Sequence, residues 1–496
     1  MSRYSVRAPA PIMILLSFVY FFSSCSVTTT DESIANLHCG SCHLSPSPSL
    51  LDSSTWAAGV LPEMKFRMGL DPSRLWKVSS AEIPTVSSAI PNMAITEEEW
   101  KHIERYYLEN APKTLTAPNL AIDGPIESFN IAHVNTTVPP LVTLLRYDEP
   151  LGRVIAGTRA SKLYILDTGF SVTDSVRLTS PPSDYLAINP DSMHILQMGK
   201  MDPNDLSNGS LIAYGKSNQR GAILIDSLKR PVHMAHSDFD LDGDNDILIS
   251  CFGNFTGGLL LCENRNGRFI KHVIHQLPGT RKTILRDVNG DGLMDFFALI
   301  TQGDEQITLF TNQDNFTFSP RVLLRFPPVY GSSYFDLVDT NNDGEEDILY
   351  CNGDNADFSN IVKPYHGIRV YRNTGDYNFK EEFFLPLPGA SQAFARDFDG
   401  DGDTDIAAIT YFPDFSVHPQ QSFVYFENSG NAFLRRATPL FDKGRWLVME
   451  AGDFDKDNDD DIMLGALNLR FGTPDSVFLR WRDEPLSLLL LKNSRN

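Results

Sequence analysis

Cysteine is scarce, with six in 496 residues, too few for a disulfide scaffold in so long a chain, so each must be read by its neighbours. Positive charge is also short. The 42 Lys and Arg stand against 63 Asp and Glu, a net charge of -21, which argues against nucleic acid as a partner. Long apolar runs are missing as well. The stretch Ile12 to Phe22, broken only by Ser17, is too short to span a bilayer core, which needs about 20 residues. No Gly-x-Ser-x-Gly elbow, His-Glu-x-x-His helix or dinucleotide fingerprint is present. Gly209 with Gly215-Lys216-Ser217 approaches a phosphate loop, but the spacing is one residue too long and Leu211 to Tyr214 reads as a strand. With 42% hydrophobic residues, the chain can still bury full cores in several domains.

Arg3 and Arg7 before the apolar stretch make residues 1–24 a signal peptide. Its end, Phe22-Ser23-Ser24-Cys25, resembles the lipobox of bacterial lipoproteins. That implies an acylated Cys25, a tether over 25–30, and a place in the bacterial cell envelope, at the outer membrane or on the periplasmic face. Phe22 stands where the motif has Leu, and an ordinary signal peptide with an incidental Cys25 is the alternative.

Next comes His38-Cys39-Gly40-Ser41-Cys42-His43. A Cys-x-x-Cys-His run suits covalent haem c, because two thiols three residues apart can each bond a vinyl group while the next imidazole reaches the iron. A thioredoxin-like redox pair would need a βαβ pattern, absent here; two structural thiols beside a chance His is the plain alternative. Two helical patterns follow. Trp56, Val60, Met64 and Met68 recur every four positions before Gly69, with Pro62 predicting a kink or a later start. Thr96 and Glu99 have capping-box spacing ahead of Trp100, Ile103 and Tyr107. Residues 31–113 thus resemble a class I cytochrome c. The resemblance implies His43 as one axial ligand and a Met before the last helix, matched by Met93, as the other; Met64, Met68 and His102 remain alternatives. Residues 114–126, rich in Pro, read as a linker.

Five acidic loops occupy the remainder, residues 127–496. They are Asp238, Asp240, Asp242 and Asp246; Asp287, Asn289, Asp291 and Asp295; Asp339, Asn341, Asp343 and Asp347; Asp397, Asp399, Asp401 and Asp405; and Asp453, Asp455, Asp457 and Asp461. Oxygen ligands at positions 1, 3 and 5, a Gly at 6 and a carboxylate at 9 fit Ca²⁺ in a short loop. The fifth has Asn458 in place of the Gly, which predicts the weakest site. EF-hands are excluded, since position 12 is Ile249, Ala298, Tyr350, Ala408 or Leu464 instead of Glu, and each loop runs into an apolar, β-prone stretch.

The loops recur about every fifty residues, the period of a blade. Asn264, Asn312, Asn373, Asn428 and Asn493 mark a hairpin at the same period, and the first four are followed by Phe269, Phe318, Phe379 and Phe433. Together these residues resemble the FG-GAP or VCBS repeat family, including the calcium-loop propeller of integrin α subunits. Leu163 to Phe170 and Asp184 to Ser217 look like two degenerate units, giving seven blades. The last unit lacks a final strand, which Phe129 to His133 can supply.

The expected fold is therefore a small all-α cytochrome c-like domain followed by an all-β, seven-bladed propeller. His233 with His236, and His272 with His275, fall on opposite strand faces and make poor metal pairs. Cys251 and Cys262 flank a turn, leaving a disulfide or two buried thiols open. The leading function is an exported, tethered electron carrier using haem c, a redox partner protein, and a Ca²⁺-stiffened propeller that docks a protein or glycan. A haem-linked oxidoreductase with its substrate on the propeller, and a surface adhesion protein, are the alternatives; no catalytic residue set is found. For the anchor, Cys25→Ser should move the protein from the membrane to the soluble fraction on fractionation. Equal membrane recovery of variant and parent would refute acylation.

Overall fold

The computed structural model describes residues 30–90, 95–215, 218–354, 359, 361–415, 417–430 and 432–494. The leader, Cys25 and Met93 lie outside them. Among the described residues no helix is long and apolar enough to cross a membrane.

Seven four-stranded antiparallel sheets form a β-propeller. The blades span 142–177, 182–228, 231–275, 280–325, 332–386, 390–436 and 446–493. Each second strand after an acidic loop, such as Asp246–Cys251 and Asp405–Thr410, is buried along its length, because sheets pack against both of its faces. Successive inner strands touch around the whole circle, the last against the first. Blade 7 holds three strands from the chain's end, and its outermost place is taken by Phe129–His133, paired antiparallel with Leu488–Asn493. This is the expected closure. The ring leaves no blade with an unpaired inner neighbour.

Ahead of the ring lies a helical domain. Helix Asp31–Cys39 packs against Glu97–Asn110, whose Thr96 and Glu99 form the expected capping box. Pro62 does not break its helix: Ser53–Thr55, a π-helical turn at Trp56–Val60, and Leu61–Arg67 run on continuously. The wide turn accommodates a residue that has no N–H to give, and Gly69 at φ 81° ends the run. Trp56, Val60, Trp100, Ile103 and Tyr107 form the core, with Met64 and Met68 packed at its edge.

One expectation changes, and one open alternative is decided. The segment 114–126 is docked on blade 6, where the Asp123 N–H donates to the Arg435 carbonyl at 2.9 Å and the Leu120 carbonyl accepts from Gln421 Nε2 at 2.6 Å. Its prolines keep the backbone extended, and extended backbone can pair with an exposed strand edge. Cys251 and Cys262 are separate buried thiols, since Cys262 lies opposite Ile247 while Cys251 lies opposite Gly258, four residues off register.

Phe129 tests the closure. It is buried and stands edge-on to Phe398 and Tyr425 of blade 6, with ring centroids 5.8 and 5.5 Å away. Phe129→Ala should cost about 3–5 kcal/mol, read as a lower urea midpoint for loss of β-sheet circular dichroism. An unchanged midpoint would show that the closing strand carries no stability.

Candidate functional site

Two regions concentrate the chemistry, at opposite ends of the propeller axis. The acidic loops join first to second strands at one end. The helical domain covers the other, where Phe66 packs edge-on against Phe255 at 5.8 Å, the Arg67 guanidinium lies 4.3 Å from the same ring, and Val329 and Tyr365 enter the helical core.

Between the helical domain and the propeller is a cavity of about 1450 Å³. Cys39, Cys42 and His43 line it, together with Met64, Met68, Trp56 and Trp100. Cys39 is half-buried and Cys42 exposed, and burial pushes the Cys39 thiol up. His43 Nδ1 bonds the Leu44 carbonyl oxygen at 2.9 Å. That partner holds the proton on Nδ1 and leaves the lone pair on Nε2, while burial lowers the imidazole's pKa. Trp100 Nε1 is a buried donor with no acceptor among the described residues. The set of two thiols, an imidazole with its ligating nitrogen prepared, two thioethers and an orphaned indole N–H fits a haem. His102 does not belong to it, for its Nδ1 lies 2.6 Å from Asp31, which also receives Arg105.

The cavity continues onto the inner strands, which present residues the sequence reading missed. The third positions of these strands carry Asp184, His233, Lys282, Tyr334 and Gln392; the fifth carry Arg146, Asp336 and Glu450. Arg146 bridges Asp184 at 3.1 Å and Glu450 at 3.6 Å, and Lys282 reaches Tyr334 at 2.9 Å and Asp336 at 3.4 Å. Aligning the inner strands of all seven units would have exposed this ring. His233 sits in it with its pKa pushed down to about 4 by burial, whereas His236 turns the other way to meet His194 at 3.4 Å. The opposite-face reading of that pair holds.

At the far end, the loop residues at positions 1, 3 and 5 fall in inter-strand turns, and each position-9 carboxylate opens the second strand of its blade. Oxygens of Asp238, Asp240 and Asp246, of Asp397, Asp399 and Asp405, and of Asp453, Asp455 and Asp457 gather within 4.8 Å of one another. Asn289 and Asn341 instead turn their amides to Asp291 and Asp343, each at 2.8 Å. The position-9 carboxylates have a further part. Asp246, Asp295, Asp347, Asp405 and Asp461 are fully buried, and each accepts the backbone N–H of its blade's marker Asn at 2.7–2.8 Å. Burial pushes Asp246 up to about 6 and both Asp405 and Asp461 up to about 7, so a cation beside them is favourable. Asn458 does not distort the fifth loop: it takes φ 72°, close to Gly243 at 95° and Gly292 at 87°, a conformation Asn tolerates. The expectation of a weak site from the missing Gly therefore loses its geometric basis.

Residues 287–350, which include the second and third acidic loops, match the model of the family described as FG-GAP-like repeat. No curated protein matches the chain. Among solved structures, the chain is similar to the Neurospora crassa Pan2 WD40 domain, with 14% identity over 75% of this chain and 98% of that one and a TM-score of 0.45. It is also similar to the N-terminal domain of Nup159, with 9% identity over 75% and 99% and a TM-score of 0.43. The Myceliophteria thermophila Cps50 (Swd1) β-propeller domain gives 12%, 74%, 100% and 0.44.

Glu305 offers a pH test beside the cavity. Its buried carboxylate accepts from Gly331 N at 3.1 Å and Ser332 N at 2.8 Å, yet burial pushes it up to about 7. A carboxyl raised in the folded state contributes stability that is complete below about pH 4.5 and lost as pH rises through about 7. Between about pH 5 and 8 the parent should lose stability relative to Glu305→Gln, measured by urea midpoints. Parallel profiles would show that Glu305 ionises normally.

Proposed function

We propose that this chain is an exported, membrane-tethered c-type cytochrome that carries single electrons, with a calcium-binding propeller serving to dock a protein or glycan partner. The observation that carries the reading is the meeting of Cys39, Cys42 and His43 with two Met side chains in one cavity, with His43 Nδ1 already engaged by the Leu44 carbonyl. Cys39 and Cys42 would hold the haem covalently and His43 Nε2 would bind its iron. Met64 and Met68 line the same space, which supports either as the sixth ligand in place of Met93. A bound haem supplies one-electron transfer. The helices exclude water with Trp56, Trp100 and Tyr107, all buried, and the Trp100 N–H has a donor to offer a haem carboxylate.

On the propeller side, calcium would be held by the loop carboxylates, which stand close enough in blades 3 and 6 to share an ion. Four or more oxygens drawn together without a cation repel one another, so the ion would stiffen each turn into its buried strand.

A second reading, a haem-linked oxidoreductase, is favoured by one observation. The cavity that contains the Cys-x-x-Cys-His motif runs without interruption to Lys282, Tyr334, Gln392 and Glu450 on the inner strands, so a small polar substrate there would lie beside the haem.

The readings separate by spectroscopy. The holoprotein should show a low-spin c-type spectrum that small mediators reduce and reoxidise. Cys39→Ala with Cys42→Ala should leave no haem stain on a denaturing gel, and a protein without covalent haem would refute the proposal. Met93→Ala should abolish the weak long-wavelength band of Met ligation; its loss in Met64→Ala or Met68→Ala would move the ligand to the helix. Haem reduction by added alcohols, sugars or aldehydes would establish the oxidoreductase.

A further inference from the structure

The strand residue just before each marker Asn differs among the five acidic-loop blades. It is Glu263, Thr311, Arg372, Glu427 and Lys492 in chain order. Because the following N–H is bonded to the position-9 carboxylate, this residue is held beside the loop in every blade.

In blade 7 it delivers a cation into the cluster. Lys492 Nζ pairs with Asp455 and lies 3.9 Å from Asp457, two of the three carboxylates that gather there. The blade has a second peculiarity. In blades 3 to 6 the other oxygen of the position-9 carboxylate accepts a loop N–H at 3.0–3.3 Å; in blade 7 Asp461 Oδ2 is buried with no partner among the described residues. That oxygen lies outside the three gathered carboxylates, but the Lys492 ammonium is near enough to interact with Asp461 as well. In blade 5 the contact is weaker. Arg372 is 3.7 Å from Asp343, while its shorter bonds, at 2.5 and 2.8 Å, go to Glu382. In blades 3 and 6 the same position adds negative charge, and Glu263 and Glu427 act on Asp240 and Asp399. Those glutamates are themselves paired on their own hairpins, Glu263 with Arg265 and with His272 Nε2 at 2.8 Å, and Glu427 with Arg436 at 3.0 Å.

We infer that this single position decides which loops take calcium, and that Lys492 is the built-in cation of blade 7. A tethered ammonium competes with a divalent ion for the same oxygens and repels it, at an effective concentration no free ion matches. The loops of blades 3, 4, 5 and 6 take calcium, blade 5 with lower affinity, and blade 7 takes none. The inference rests on the calcium reading above.

Titration calorimetry on the metal-stripped full chain tests it, with melting curves in calcium and in chelator for every variant. The parent should bind one calcium fewer than it has acidic loops. Lys492→Thr, which gives blade 7 the residue of blade 4, should gain one ion, and Thr311→Lys should lose one. A parent with every loop filled would overturn the inference. So would an unchanged count in a Thr311→Lys protein that melts cooperatively, and that variant decides the matter if Lys492→Thr does not fold. Zero ions in the parent, with a melting curve indifferent to chelator, would remove the calcium reading itself and leave the loops as structural turns.

Discussion

A carboxylate taken fully out of water must find donors or a cation, because the cost of leaving it unpaired exceeds most single contributions to stability. Five of the seven blades are organised around one such group. Asp246, Asp295, Asp347, Asp405 and Asp461 are fully buried at the start of a second strand, and each is bonded to the N–H of an Asn at the end of the third. The bond ties the entrance of one strand to the exit of its neighbour. It also accounts for why the acidic loop and the Asn recur together, since one is the partner of the other. In two blades the tie reaches further: Asn312 and Asn493 donate to the carbonyls of Phe239 and Phe398 in the preceding acidic-loop blade, so the turns of one blade brace the next.

Blades 1 and 2 lack this device and use other means. Asp148 pairs with Arg153 at 2.9 Å and receives Tyr185 OH at 2.8 Å from the neighbouring blade, while Asp184 receives the Met234 N–H at 2.9 Å. The ring of inner-strand charges spans the same junctions. Closure by Phe129–His133 then binds the two ends of the propeller segment in one sheet. The inner strands touch their neighbours around the whole circle, the last against the first, and their residues line the cavity as a central channel.

The helical domain sits over that channel, on the end away from the acidic loops. Its Glu82 accepts the Asp205 N–H at 2.6 Å, and Asp205 in turn holds the loop that carries Phe255, so the contact that seats Phe66 is itself anchored. This arrangement separates two kinds of chemistry along one axis. Thiols, imidazole and thioethers face the cavity beneath the helices, and hard oxygen donors gather at the opposite end.

The repeat architecture was legible in the sequence because it rests on local spacing. Carboxylates at alternate positions, a Gly at the tight turn, an apolar strand after it and a distant Asn are all read along the chain, and so were seven blades and the need for a closing strand. The Cys-x-x-Cys-His run and the capping box at Thr96 and Glu99 were legible for the same reason. Contacts between distant segments were not. The spacing of Arg146, Asp184, Lys282 and Glu450 announces a ring only once the seven inner strands are aligned with one another, because the residues meet only when those strands converge. Nor does the sequence show that His102 turns to Asp31, or that Lys492 folds back onto Asp455. Local pattern determined which elements form; closure of the propeller decided which charges face one another, since pairing across tens to hundreds of residues is set by packing and not by sequence distance.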